Sequence, residues 1–221
     1  MTSAVWRHRR ALTSALAVIA LCSPPAGRLA AQVAANRKPD YTPADVTFMQ
    51  GMIWHHAQAV VMSDWAPTHG ARTEVAILCK KIALSQRDEI DVMQHWLHDR
   101  GLAAPDPLRM WAQHPDMAWQ MPPDTMANGM VMPMRMAGML SPEQMHQLEA
   151  AHDTTFDRLY LQYMIGHHQG ALDMVKKLFD TPGGGQEAVL FGFATDIDAG
   201  QRAQIARMQA LLTNSPLGQD Q

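Results

Sequence analysis

A motif with two adjacent histidines occurs twice in the chain, at residues 52–62 and 164–174. Both copies read Met-Ile-x-His-His-x-x-Ala-x-x-Met, and they are offset by 112 residues without a gap. Two further pairs upstream keep the same offset, namely Asp45 with Asp157 and Phe48 with Tyr160. A match of this length indicates a duplicated structural unit, which restricts the fold to architectures with two related halves.

The helix that follows each motif is duplicated as well. Residues 86–97 match residues 201–212 at an offset of 115, with Glu89 opposite Gln204. Each motif therefore belongs to a helical hairpin, and the second hairpin contains three extra residues. Two such hairpins predict an all-α protein, a four-helix bundle in which a long Met-rich connector joins the hairpins.

The shared residues of the motif fall on one side of a helix in which successive residues turn by about 100°. In the first copy, His55 and His56 fall on this side together with the methionines, whereas Gln50, Trp54 and Gln58 lie opposite. An amphipathic helix turns its less polar side inward. We therefore expect the histidines of both copies to face the core.

Burying these histidines is unfavourable unless each has a partner. An unpaired polar group costs roughly 2–7 kcal/mol on transfer from water, and a whole domain is stable by only about 5–15 kcal/mol. A single core histidine is most often satisfied by its neighbours, but doubled histidines with nearby methionines, present twice, favour metal ligands. The candidate ligands are His55, His56, His167, His168, Met52, Met164, Met62 and Met174.

Four polar residues near the motifs have two interpretations each. Asp45 follows Thr42 by three residues, where a carboxylate caps a helix; alternatively, Asp45 and its counterpart Asp157 serve the metal. Glu89 and Gln204 stand in the second helices, where they would hold the outer ring nitrogens of the histidines, as is usual around metal ligands. The alternative is that these two residues only make one end of the bundle polar.

Composition divides the chain into four segments. Residues 1–31 combine a basic start, a short apolar run and a small-residue cleavage site, which is typical of an export signal. The apolar run is too short for a permanent membrane span. Residues 40–102 and 141–213 contain the two hairpins, and residues 103–140 connect them. We expect an exported protein, periplasmic or secreted after removal of the signal.

Capping residues predict where the helices begin. Thr42-Pro43 and Ser141-Pro142 each place proline directly after an N-cap residue. The helix that begins at Pro142 is expected to restart near His152-Asp153, with Asp153 as a new cap. The second helices of the hairpins are predicted at about residues 73–99 and 186–212.

The connector contains too many prolines for long helices and is unusually rich in methionine. Eight methionines lie within residues 117–140. Thioethers are soft ligands that favour Cu(I), although methionine also fills irregular gaps in protein interiors. We expect auxiliary metal ligands at Met130, Met132, Met134, Met136 and Met139.

Charge and cysteine content exclude other classes of protein. Residues 1–31 contain four of the 18 Lys and Arg and none of the 21 Asp and Glu, so the mature chain has a formal charge of −7. This balance argues against a nucleic-acid surface. Cys79 is the one cysteine after the signal, so the mature chain forms no internal disulfide. Cys79 is either an extra soft ligand or a small buried residue.

The pattern Asp-x-x-Phe-x-x-x-Met-Ile-x-His-His-x-x-Ala-x-x-Met, present twice around a Met-rich connector, resembles the domain-of-unknown-function 305 (DUF305) family, with Tyr160 in place of Phe in the second copy. The resemblance covers about residues 40–213 and implies a ferritin-like helical bundle in an exported bacterial protein. Some members of the family bind copper and contribute to copper resistance, so the resemblance implies copper. The first copy departs from the usual pattern at Gln58, where the second copy has Gly170.

Three functions compete. In the first, the protein is not an enzyme but binds copper for sequestration, resistance or transfer, with Cu(I) favoured over Cu(II) by imidazole and thioether ligands and without an organic cofactor. Its partners would be the copper ion and other copper-handling proteins. The second is a ferritin-like di-metal oxidoreductase, which requires more carboxylates than this chain offers near the histidines. The third is a structural or interaction bundle whose histidines only fix its packing.

Overall fold

The computed structural model describes residues 40–113 and 136–213, and these residues form helices and turns without a strand. The all-α class is therefore confirmed. The helices are α1 (Pro43–Asp64), α2 (Thr73–His98), α3 (Pro107–Gln113), α4 (Pro142–Glu149), α5 (Asp153–Asp180) and α6 (Ala188–Thr213). The proposed export signal and Met130, Met132 and Met134 lie outside the described residues. No helix in the described part is long and apolar enough to cross a membrane.

Helix α1 is central, because residues on every side of it are buried. It packs against α2 within the first hairpin and against α5 of the second hairpin, while α5 packs against α6. Helices α1 and α5 run antiparallel, since His55 lies against His167 and Ser63 Oγ is 2.8 Å from Tyr160 Oη. The middle of each repeated motif therefore lies at the crossing of α1 and α5.

The predicted N-caps form as expected. Asp45 N–H donates to Thr42 Oγ1 at 3.3 Å, and Thr42 N–H donates to Asp45 Oδ2 at 2.7 Å. The restart before α5 is also confirmed, but the prediction that Asp153 caps it is wrong. His152 occupies the N-cap position, and Asp153 is the first helical residue, with φ of 52°. Asp153 N–H bonds the carbonyl oxygen of His69 at 2.7 Å, so a tertiary contact fixes this backbone.

The side of α1 that was expected to lie opposite the core is buried as well. Gln50 Nε2 donates to a backbone carbonyl of the connector at 2.6 Å, and Trp54 packs edge-on against Trp111 with ring centroids 5.8 Å apart. Gln58 Nε2 donates to Leu140 O at 3.2 Å, and Leu140 N–H donates to Gln58 Oε1 at 2.8 Å. Both ends of the connector thus cover this side of α1, which the amphipathic pattern alone does not reveal.

Residues 136–140 end the connector, and we call them the strap. The strap packs backbone against backbone on α5, because a Cβ atom on Gly170 would lie 2.0 Å from the carbonyl oxygen of Ala137. Only glycine permits this approach. The difference between Gln58 and Gly170 now has a physical reason. One strap docks on both copies of the motif, through an amide side chain on α1 and through bare backbone on α5.

The substitution Gly170→Ala tests this contact. We expect the free energy of unfolding to fall by at least about 1–3 kcal/mol, because the new methyl group overlaps the strap backbone. The matched control is Gly166→Ala one turn earlier, where a Cβ meets no atom within 4 Å. The control should be neutral or stabilise the helix by up to about 1 kcal/mol. Equal effects of the two substitutions in urea denaturation would contradict the packing described here.

Candidate metal centre

The four histidines of the repeated motifs lie together in the interior, and each side chain is 0% exposed. The rings of His55 and His167 are in contact across the crossing of α1 and α5, with centroids 3.8 Å apart. Within each pair the centroids are 6.4 Å and 6.3 Å apart. The prediction that the histidines face the core is confirmed, and the two motifs meet there.

Three of the four rings have a hydrogen-bond partner at Nε2: His55 with Ala137 O at 3.0 Å, His56 with Glu89 Oε2 at 2.6 Å, and His168 with Gln204 Oε1 at 2.5 Å. Carbonyl and carboxylate oxygens accept hydrogen bonds, so these partners place the proton of a neutral imidazole on Nε2. The lone pair that is available for a metal ion is then on Nδ1.

The Nδ1 atoms of all four histidines have no hydrogen-bond partner among the described residues, and the same holds for Nε2 of His167. A buried polar atom without a partner destabilises the folded state by about 1–3 kcal/mol. Five such atoms in one cluster are unusual for a protein interior, in which nearly all buried polar groups are paired. The cluster therefore offers lone pairs that no group in the described structure uses.

Burial keeps the rings of His55, His167 and His168 neutral. Loss of hydration, together with a smaller effect of the neighbouring His56, lowers the pKa of His55 to about 3. Burial also lowers the pKa of His168 to about 4, although the hydrogen bond to Gln204 opposes this change. The pKa of His167 lies well below its usual range for the same reason, with a contribution from His55. Neutral imidazole is the form that binds metal ions.

The metal-free protein should therefore lose stability as the pH falls. Unfolded histidines take up protons near pH 6.5, whereas the folded rings take them up only near the lowered values, about 3 for His55 and about 4 for His168. Because the unfolded chain binds more protons in this window, the free energy of unfolding should decrease steadily from about pH 6.5 to pH 5, before most carboxylates titrate. Urea denaturation at several pH values measures this decrease in the free energy of unfolding. A His55→Leu/His168→Leu variant should show a shallower decrease, and an equal slope would contradict the assignment.

Glu89 and Gln204 occupy equivalent places in α2 and α6, and both contact the outer nitrogen of a histidine, as the sequence predicted. Glu89 is partly accessible, with 27% of its side chain exposed. Because one partner is a carboxylate and the other an amide, the two histidine pairs have different electrostatic surroundings. The role of Glu89 and Gln204 around a bound metal stays a prediction.

Asp45 and Asp157 lie away from the histidines. Each is ten residues from the first histidine of its motif, which corresponds to about 15 Å along a helix. Both oxygens of Asp45 are occupied, Oδ2 by its own helix cap and Oδ1 by the backbone N–H of Gly185 at 2.7 Å. Asp157 Oδ2 lies 3.3 Å from Arg72 Nε. Asp45 therefore caps its own helix and holds a loop of the second hairpin, which favours the capping interpretation. Asp157 holds a loop of the first hairpin in the same way.

The candidate methionines divide into two groups by position. Met52 and Met164 are buried one helical turn before His55 and His167. The other two, Met62 and Met174, follow the same histidines by seven residues, which is about 10 Å along the helix. Met62 is fully buried and Met174 is partly exposed, while Met136 and Met139 are buried in the strap.

Within residues 40–113 and 136–213, no three His, Cys, Asp or Glu side chains are arranged as a ready-made metal site. The rings of His55 and His167 lie against each other rather than converging through their nitrogens. A metal ion held here would therefore need thioether ligands, or small rotations of the rings. Met52 and Met164 are the thioethers nearest in sequence to the histidines.

Sequence reasoning gave no role to Gln86 and Gln201, which are buried one turn before Glu89 and Gln204. Both amide atoms of Gln86, and Oε1 of Gln201, have no hydrogen-bond partner in the described part of the chain. The repeat offset of 115 contained this signal, because it pairs Gln86 with Gln201 within apolar stripes. These amides extend the polar interior by one helical turn.

Cys79 is fully buried in the core, and burial raises the pKa of its thiol to about 12. A thiol binds metals as the thiolate, which this environment disfavours. Of the two interpretations of Cys79, the small buried residue is therefore favoured.

The fold and the cluster together define a class: an all-α protein from two related hairpins with a histidine-rich interior between them. The chain belongs to the DUF305 family, a domain of unknown function whose model matches residues 45–212. A DUF305 fragment from Deinococcus radiodurans is similar, with 28% identity, a TM-score of 0.61 and coverage of 80% of this chain and 100% of the fragment. A DUF305 protein from Streptomyces coelicolor that is described as secreted has 26% identity and a TM-score of 0.58, over 79% of this chain and 94% of its own.

The fold is also similar to that of CopM, which has been solved in Cu(I)-bound, Cu(II)-bound, silver-bound and apo forms. The Cu(II)-bound form shares 24% identity, with a TM-score of 0.54 and coverage of 77% of this chain and 96% of CopM. This similarity concerns the fold. No curated protein matches the sequence.

Proposed function

We propose that this protein binds copper at the buried histidine cluster and stores or transfers it without catalysing a reaction. The observation that carries the proposal is the set of five ring nitrogens that have no hydrogen-bond partner among residues 40–113 and 136–213, in a fully buried cluster. A metal ion would use lone pairs that are otherwise unsatisfied, so binding would stabilise the folded protein.

The proposed ligands are the Nδ1 atoms of His55, His56, His167 and His168, supplemented by the thioethers of Met52 and Met164. Three of the rings already direct Nε2 to a protein acceptor, which leaves Nδ1 as the donor atom. Imidazole with thioether suits Cu(I), which we favour over Cu(II). We leave Asp45, Asp157, Met62 and Met174 out of this ligand set, because along their helices they lie six or more residues from the histidines, whereas Met52 and Met164 lie only three residues away.

Glu89 and Gln204 are proposed to orient the ligands. Each accepts the Nε2 proton of its histidine and thereby fixes the tautomer and the ring direction. Glu89 also supplies the negative charge that partly balances a bound cation. Substitution of such supporting residues typically lowers metal affinity about 10–100-fold.

Copper is the first metal to test, for two reasons. Soft thioethers beside imidazoles disfavour hard cations such as Mg²⁺ and Ca²⁺, which prefer oxygen ligands. The fold is also shared with CopM, which has been solved with copper and with silver bound. Silver(I) is therefore a useful redox-inert substitute for Cu(I) in the measurements.

We further propose that the protein acts outside the cytoplasm. Residues 1–31 have the composition of an export signal, and the similar Streptomyces coelicolor protein is described as secreted. Other exported copper-handling proteins would be its partners. The auxiliary methionines of the connector, Met130, Met132, Met134, Met136 and Met139, would add soft ligands that are separate from the ligand set of the histidine cluster.

The two competing functions receive less support. A bundle whose histidines only fix packing should satisfy their hydrogen bonds, yet five ring nitrogens lack partners in the part of the chain that the structure describes. A di-metal oxidoreductase needs several carboxylates at the metals. In the described ranges, Glu89 is the one carboxylate that contacts a histidine of the cluster. Copper binding agrees with both observations.

The variant His55→Leu/His167→Leu tests the proposal. Leucine fills a similar volume and cannot bind a metal, so Ag(I) and Cu(I) affinity should fall by at least about tenfold, the lower limit expected even for loss of a supporting residue. The metal-free variant should stay folded, because removal of unpaired buried polar groups is close to neutral or stabilising. Competition with a coloured Cu(I) chelator measures affinity, and thermal denaturation measures folding.

The matched control is His95→Ala/His98→Ala on the exposed side of α2. This variant should bind copper as the original chain does. Unchanged affinity in the His55/His167 variant, or an equal loss in the control, would contradict the proposed site. A melting temperature that copper does not raise in the original protein would favour the structural alternative.

A further inference from the structure

The proposed site raises a problem of access, because all four histidines are 0% exposed. A cavity of about 470 Å³ lies beside them, between α1, α5 and the strap. Its lining includes Phe48, Gly51, Met136, Ala137, Met174 and Lys177. Met136 and Ala137 belong to the strap, and Gly51 belongs to α1, the helix that carries His55 and His56.

The cavity continues along the helix faces that carry the histidines. Phe48 and Gly51 precede His55 by seven and four residues, and Met174 follows His167 by seven residues. Residues at these spacings lie on the same side of a helix. Ala137 lines the cavity, and its carbonyl oxygen accepts the Nε2–H of His55 at 3.0 Å. The cavity and the histidine cluster are therefore neighbours that share Ala137 as their boundary.

The internal repeat shows that larger side chains stand at the positions that correspond to two small residues of the cavity lining. The offset of 112 places Phe156 at the position of Ala44 and Tyr163 at the position of Gly51. Ala44 and Gly51 line the cavity, whereas Phe156 is fully buried in the core. Phe156 therefore occupies space that the smaller Ala44 leaves open in the first copy, while Tyr163 is partly exposed and lines a separate cavity of about 550 Å³ beside the strap.

The two methionines that the repeat relates differ in the same way. Met62 is 0% exposed and packs in the core cluster that contains Met145 and Leu148 of α4. Met174, its counterpart, is only partly buried and lines the cavity. Helix α4 therefore covers one end of the crossing of α1 and α5, while the other end leaves a thioether at an accessible cavity.

We propose that this cavity is the route by which a soft metal cation reaches the histidine cluster, and that Met136 and Met174 are its transfer ligands. This inference rests on the proposed function. Thioethers are neutral, so they bind a soft cation without the strong Coulomb attraction that would trap it. The charged residues of the lining, Asp173 and Lys177, are exposed and carry opposite charges, so the rim neither strongly attracts nor repels a cation.

Two variants remove the transfer ligands, Met174→Leu and Met136→Leu, and Met62→Leu is the matched control at the repeat-related position. Leucine keeps the volume and removes the sulfur. The rate at which the metal-free protein takes Cu(I) from a coloured chelator should fall roughly tenfold in the first two variants, because a soft cation loses soft ligands on its route. The equilibrium affinity for Cu(I) should stay unchanged in all three variants. The uptake rate should stay unchanged in Met62→Leu.

A third variant, Ala44→Phe, tests the route without touching sulfur. It places in the first copy the side chain that the second copy has at this position, and it should fill the cavity. Uptake of Cu(I) should slow, with the affinity preserved. Thermal denaturation of each metal-free variant identifies any that fails to fold, and the remaining variants then decide the question.

The outcomes separate the two proposals. Unchanged uptake rates in the folded Met174, Met136 and Ala44 variants, with affinity intact, would overturn the route and leave the proposed function standing. An equal loss of rate and affinity in Met174→Leu would make Met174 a ligand of the final complex and would also overturn the route. Absence of Cu(I) binding by the original protein would overturn the proposed function and the route together.

Discussion

The structure depends on one physical constraint, which is that four buried imidazole rings lie together where two helices cross, with His55 and His167 in contact. The crossing of α1 and α5 buries the histidines of both copies of the motif against each other. Burial removes the hydration that would stabilise charged rings, so the pKa values of His55 and His168 fall to about 3 and about 4. The fold therefore maintains a cluster of lone pairs at neutral pH.

The same cluster destabilises the metal-free protein, because unpaired buried polar atoms lower the free energy of unfolding. Natural proteins retain such destabilising groups chiefly at functional sites. A ligand that binds only the folded state recovers this free energy, so stability and metal binding would be thermodynamically linked. Glu89 and Gln204 make the two halves of the cluster unequal, since one outer nitrogen faces a charge and the other a neutral amide.

Duplication gives two similar halves, but the connector is present once, and this breaks the symmetry. The strap is held on α1 by hydrogen bonds to the side chain of Gln58. On α5 it packs against the bare backbone of Gly170. The ends of the crossing differ for a related reason. Helix α4 and Phe156 fill one end, while Ala44 and Gly51 leave a cavity at the other. Differences between the copies are therefore as informative as their shared motif.

The sequence by itself determined the all-α class, the duplicated helices, the helix caps at Thr42 and Ser141, and the inward direction of the histidines. Periodicity and capping chemistry act over short distances along the chain, and the repeat offsets of 112 and 115 residues can be read directly from the sequence. The contacts of Glu89 and Gln204 were also predictable. The offset of 115 pairs these two residues, and each stands in the helix that follows its own motif.

Only the tertiary structure decided what covers α1 and which ring nitrogens are free. The burial of Gln50, Trp54 and Gln58 depends on connector ends that are about 50–80 residues away in sequence, and no periodicity encodes such a contact. The position of Asp153 as first helical residue, the loop contacts of Asp45 and Asp157, and the cavity beside Met174 arise in the same way. They depend on how separate segments pack in space, whereas a sequence pattern reports only the face of its own helix.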